Sequence, residues 1–88
     1  MNNNNERLVA IKELLTKHLA PTFLEVTDNS YQHVGHVGHQ GAGHFAIVIA
    51  ATQFSGKSRL EIHRLIHHAL RSLMPQEIHA LQISIKAS

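Results

Sequence analysis

Residues 45 to 50, Phe45-Ala46-Ile47-Val48-Ile49-Ala50, are apolar on both parities, which is the signature of a strand with neighbours on each side rather than one at a sheet edge. The chain has 88 residues, enough for one compact core and no more. A central strand in so short a chain implies one small sheet, and the rest of the sequence must supply its flanking strands and cover.

Leu8, Ile11, Leu15 and Leu19, with Leu14 beside them, recur at helical spacing, while Lys12, Glu13 and Lys17 fall on the other side. This predicts a helix that Ala20-Pro21 ends. The preceding Asn2 to Asn5 are polar, so residues 1–5 are expected to be a flexible terminus and 6–88 a single domain. Thr22 to Asp28 reads as a strand closed by the turn Asp28-Asn29-Ser30. Tyr31 to Gly43 is rich in glycine and histidine, with no periodicity that buries a face, and is expected to be a long connection.

After the central strand, placed over His44 to Ala51, Gln53-Phe54-Ser55-Gly56 makes a turn. Ser58 followed by Glu61 is a capping box that opens a second helix. Ile62, Leu65, Ile66, Ala69, Leu70 and Leu73 form its apolar stripe; Leu60, Arg64, His67 and Arg71 form the other flank. Pro75 stops it. In Ile78 to Lys86, His79, Leu81, Ile83 and Ile85 alternate with Ala80, Gln82, Ser84 and Lys86, as expected of a strand whose sheet is covered by helices on one side. The order α-β-β-α-β predicts a two-layer α+β domain.

There is no cysteine, so disulfides, thiol nucleophiles and thiolate ligands from this chain are excluded. No apolar run approaches the ~18 residues of a membrane span, and no secretory signal opens the chain, which makes the cytoplasm the expected address. The net charge of +2 gives little bulk attraction to nucleic acid. With six acids in all, no paired carboxylates and no Ser/His/Asp order, the sequence gives no support for catalysis, and a non-enzymatic role is expected.

Nine histidines are the unusual feature. His33, His36 and His39 lie three apart among small residues that let the backbone bend around a metal. Imidazole suits Zn, Cu, Ni and Fe alike. Spacing leaves two readings open, a metal-binding loop and a polar loop with adventitious affinity. His79 opens an otherwise apolar strand and reads either as a precisely held ligand or as a core-edge histidine bonded to backbone. His63 and His67 are one helical turn apart but lack the acidic neighbour of a metalloprotease motif. Lys57, Arg59, Arg64 and Arg71 read either as a nucleic-acid-binding flank or as a solvated face.

These residues resemble the BolA family. Phe23-Leu24-Glu25-Val26 with Asp28-Asn29-Ser30-Tyr31-Gln32-His33 is similar to its first strand and the start of its variable loop, and Gly43-His44-Phe45 to its entry to the second strand. Phe54-Ser55-Gly56-Lys57-Ser58 and His63-Arg64 resemble its Phe-x-Gly and Arg-His-Arg region, and Ile78-His79-Ala80-Leu81 its Val-His-Ala-Leu signature. The match runs in order over roughly residues 6–86. Two departures stand out: Ile62 replaces the first arginine of Arg-His-Arg, and the loop holds His36 and His39 beside His33.

The resemblance implies a class II KH-like fold, a three-stranded mixed sheet packed on helices, with a short helical turn before the second long helix. It also implies a monothiol glutaredoxin of the Cys-Gly-Phe-Ser type as partner, with a bridging 2Fe-2S cluster shared with it and its glutathione and none in the isolated chain. The roles implied are iron–sulfur assembly, trafficking or iron sensing. The ligands map to His79 and, in the loop, to His33, with His36 and His39 as possible substitutes. The alternative it implies is a DNA-binding regulator that uses the second helix. Gly35-His36-Val37-Gly38 and Gly38-His39-Gln40-Gly41 match the Gly-x-x-Gly of KH domains, but between strands and without basic residues. A plain histidine-loop metal buffer is a third reading, and a weak homodimer is compatible with the size.

Overall fold

The computed structural model describes residues 4–29, 43–74 and 77–86, apart from the side chain of His79. Helix α1 (Asn4–Leu19) leads into strand β1 (Phe23–Asp28), then β2 (Gly43–Ala50), a 3-10 turn over Thr52–Phe54, helix α2 (Arg59–Ala69), a second 3-10 turn over Arg71–Leu73, and β3 (Ile78–Ile85). The helix begins earlier than expected. Asn4 and Asn5, assigned above to a flexible terminus, belong to α1, and the Asn4 carboxamide oxygen accepts a 2.8 Å bond from Arg7 Nη1.

The sheet has the order β1-β2-β3, with β1 antiparallel and β3 parallel to β2. The strand that is apolar on both parities is central. A parallel neighbour requires a crossover, which the segment containing α2 supplies. Ile11, Leu15 and Leu19 of α1 and Ile62, Ile66 and Ala69 of α2 form one core with Phe45, Ile47 and Ile49 of β2, Val26 of β1 and Ile78 of β3. The other face of the sheet carries Glu25, Thr27, Gln82 and Ser84, all exposed. Helices therefore cover one side, as the alternation in β3 predicts.

Covering one side only raises the question of why β2 is apolar on both. Its outward His44, Ala46 and Val48 are half-buried, because the two flanking strands stand against them. At the far end the Lys86 ammonium lies 4.0 Å from the centroid of the Phe23 ring, and Ala50, the register partner of Phe23, is buried. Among the described residues no helix is long and apolar enough to cross a membrane.

Helix α2 starts where the capping box places it. The Glu61 amide donates to Ser58 Oγ at 3.1 Å, and the Ser58 amide donates to Glu61 Oε1 at 3.2 Å. The Ser58 backbone bond, then the hydroxyl, hold the Glu61 carboxyl below the ordinary glutamate range, helped by Lys57 and Arg64. A carboxyl lowered by folding stabilises the fold above its unfolded pKa and loses that contribution as pH falls through the folded value. Wild type is therefore expected to exceed a Glu61→Gln variant in urea midpoint at pH 7. That gap should close below about pH 4 as the carboxyl protonates; a gap unchanged at pH 2.5 would contradict the assignment.

Candidate ligand site at one end of the sheet

Antiparallel β1 and β2 place Asp28 and Gly43 at the same end of the sheet, and parallel β3 begins at that end too, with Ile78 the register partner of Gly43. Backbone bonds pin all three. The Asn29 amide donates to the His44 carbonyl at 2.8 Å, and the Gly43 amide donates to the Glu77 carbonyl at 3.0 Å. The segment 30–42 thus leaves and returns where the strand bearing His79 starts. His33, His36 and His39, with both Gly-x-x-Gly matches, lie in that segment, outside the described residues.

His79 occupies a special register position. Gly43 pairs with Ile78 and His44 with Ala80, so His79 is an extra residue without an opposite number, a β-bulge. Bulges occur where a strand re-aims a side chain or interrupts pairing. The bulge also corrects the alternation expected above. Strict alternation puts Ile78 on the open face with Ala80, yet Ile78 is 2% exposed in the core while Ala80 is exposed. Counting back from Leu81 therefore does not assign His79 to a face.

Two further contacts hold this end. Arg7 is 8% exposed, the buried charged residue among those described, and its Nε donates to Glu77 Oε1 at 2.8 Å. The bond from Arg7 holds the Glu77 carboxyl below its ordinary range against the opposing cost of desolvation. The Glu77 amide in turn donates to the Leu73 carbonyl at 2.8 Å. The turn before His79 is thereby tied to α1 and to the end of the α2 segment. Sequence reading missed Arg7, although its spacing from Ile11 and Leu15, four and eight residues, put it on the buried stripe.

The second contact explains the small residue ahead of His44-Phe45. A Cβ on Gly43 would run into the Phe45 ring, at 2.7 Å from Cζ, and would stand 3.0 Å from Asn4 Oδ1. Phe45 is 2% exposed and packed in the core, so its ring has no room to swing aside. Gly43 is therefore required by close packing.

The basic residues of α2 do not converge. Lys57, Arg59, Arg64 and Arg71 are all exposed. Lys57 and Arg64 act on Glu61, Arg71 Nη1 donates to the His68 carbonyl at 2.7 Å, and Arg59 lines a cleft against β3 with His63. His67 and His68 are exposed and His63 half-buried. Among the described residues no three His, Asp or Glu side chains cluster as a metal site.

The comparisons agree with this geometry. The family described as BolA-like protein matches residues 15–88. The chain is 42% identical over 86 residues to SufE-like protein 1, chloroplastic/mitochondrial, of Arabidopsis thaliana, covering 91% of this chain and 23% of that protein. It is 36% identical over 73 residues to the DNA-binding transcriptional regulator BolA of Escherichia coli (strain K12), covering 83% of this chain and 68% of that one. The chain thus spans about a quarter of the first relative's length and two thirds of the second's. Among solved structures, the BolA domain of SufE1 from Arabidopsis thaliana superposes with a TM-score of 0.80 at 43% identity, covering 92% of this chain and 91% of that one. A mixed three-stranded sheet under two helices, a histidine at the start of the parallel strand and a match over most of the length place this chain in the BolA-like protein family.

Proposed function

We propose that this chain is a non-enzymatic partner of a monothiol, Cys-Gly-Phe-Ser-type glutaredoxin and shares a bridging 2Fe-2S cluster with it in iron–sulfur assembly, trafficking or iron sensing. The observation that carries the reading is the return of the segment 30–42 to the sheet end where β3 begins with His79. His33 stands four residues beyond Asn29, and His39 four before Gly43. At roughly 3.5 Å per extended residue, His33 is within about 14 Å of Asn29 and His39 within about 14 Å of Gly43. On this reading His79 and one loop histidine, His33 first with His36 or His39 as substitutes, are the ligands. A chain without cysteine takes its sulfur from the glutaredoxin and glutathione. Imidazole in place of thiolate raises a cluster's potential and makes ligation compete with protonation. The cytoplasm is the proposed site of action.

The test is to co-express the chain with such a glutaredoxin and isolate the complex anaerobically. A coloured one-to-one complex with visible absorption and circular dichroism bands unlike those of the glutaredoxin alone is expected. A glutaredoxin that keeps its own spectrum, with the chain eluting apart, would overturn the reading.

A second reading, direct DNA regulation through the α2 flank, is favoured by the name of the Escherichia coli relative. It predicts duplex binding that weakens steeply with salt yet discriminates sequence near physiological ionic strength. Binding that is undetectable or sequence-blind there removes it.

A further inference from the structure

A cleft of about 260 Å³ lies between α2 and β3, lined by Arg59, His63, Ile83, Ser84 and Ile85. Arg59 and His63 are one helical turn apart and rise on the same side of α2. From β3 the half-buried Ile83 and Ile85 add apolar wall. Among the described residues the side chains of Arg59 and His63 have no hydrogen-bond or ion-pair partner.

The charge of the lining selects the ligand. No carboxylate faces the cleft, and Glu61, the acid on the same turn of α2, is engaged with Ser58. A guanidinium stays charged at any accessible pH, so a metal ion at His63 would meet a fixed positive neighbour. An oxyanion meets the opposite situation: a planar fork that donates two parallel bonds, and a ring N–H one turn further along the helix. The volume is several times the ~30 Å³ share of a water molecule, enough for a tetrahedral oxyanion with part of the group that carries it.

We infer that this cleft is a phosphate-binding site, in which Arg59 grips two oxygens while His63 donates to a third. The site is independent of the cluster reading, since it lies along α2 and the later part of β3 and uses none of the proposed ligands. A phosphate can reach it from a nucleotide-sized metabolite or from a nucleic-acid backbone; the chemistry at the protein is shared.

The test is NMR of the full chain, following the Arg59 Nε and histidine ring signals during titration with inorganic phosphate, then with a mononucleotide and with a short DNA duplex. Saturable shifts are expected at Arg59 and His63 with His67 and His68 unmoved. Arg59→Gln should weaken binding roughly tenfold or more, and His63→Ala should weaken it to a smaller extent. Lys12→Gln, which removes a positive charge on α1 outside the cleft, should leave it within about twofold. A mononucleotide that binds as well as the duplex assigns the small-molecule source, and a response at far lower duplex concentration assigns the backbone; both support the site. Shifts that do not saturate, shifts spread equally over His67 and His68, or equal losses in the Arg59 and Lys12 variants would overturn it.

Discussion

Replacing His79 with alanine is expected to strip the proposed 2Fe-2S cluster from the proposed complex with a glutaredoxin, with the visible bands of that complex lost and iron retention reduced by more than about a hundredfold. Changing residues that merely support a metal ligand costs 10–100-fold in affinity, so loss of a ligand should exceed that range. The bulge makes the mutation informative. His79 has no cross-strand partner in register, so alanine there removes an imidazole without breaking a ladder pair. Far-UV circular dichroism and the thermal midpoint of the isolated variant should stay near those of wild type.

The loop then distinguishes its own histidines. If His33 alone ligates, His33→Ala matches His79→Ala while His36→Ala and His39→Ala leave the spectrum intact. If neighbours substitute, each single variant keeps a shifted spectrum and only the triple variant loses it. A cluster spectrum unchanged in His79→Ala would remove that residue from the ligand set, whatever the loop does.

The second large effect concerns stability. Phe45→Ala is expected to cost about 3–5 kcal/mol, the usual range for removing a buried phenyl ring. Against a total of roughly 5–15 kcal/mol for a domain of this kind, that removes at least about a fifth of the stability, and nearly all of it at the low end of the range. Gly43→Ala should cost about 1–3 kcal/mol by overpacking, because the new methyl enters the space of the Phe45 ring, which the core holds in place. The two effects are coupled through that contact. In a Phe45→Leu background the outer ring atoms are gone, and Gly43→Ala should become nearly neutral. Urea unfolding of the four proteins in the cycle measures this, and costs additive within ~0.5 kcal/mol would show that the ring is not the obstacle.

Gly43 also shows how far local pattern extends. Its smallness was visible as part of Gly43-His44-Phe45, but the reason lies two residues on, in a ring folded back over the backbone. The same holds for Arg7. Its place on the buried stripe of α1 is a matter of 3.6-residue spacing, whereas its partner Glu77 stands 70 positions later and no periodicity points to it.

By itself, the sequence determined the elements: two amphipathic helices, a capping box at Ser58 and Glu61, a central strand apolar on both parities, and helices on one side of the sheet. These are intrachain patterns, in which side-chain spacing and short-range bonding decide the outcome within a few residues. The family resemblance was legible for the same reason, as short runs in a fixed order. Only the tertiary structure decided that β3 runs parallel beside the start of β2, that a bulge falls at His79, and that Arg59 and His63 face Ile83 and Ile85 across a cleft. Each depends on register and packing between segments far apart in the chain. A one-residue shift there turns every following side chain to the other face, and no local propensity records which register wins.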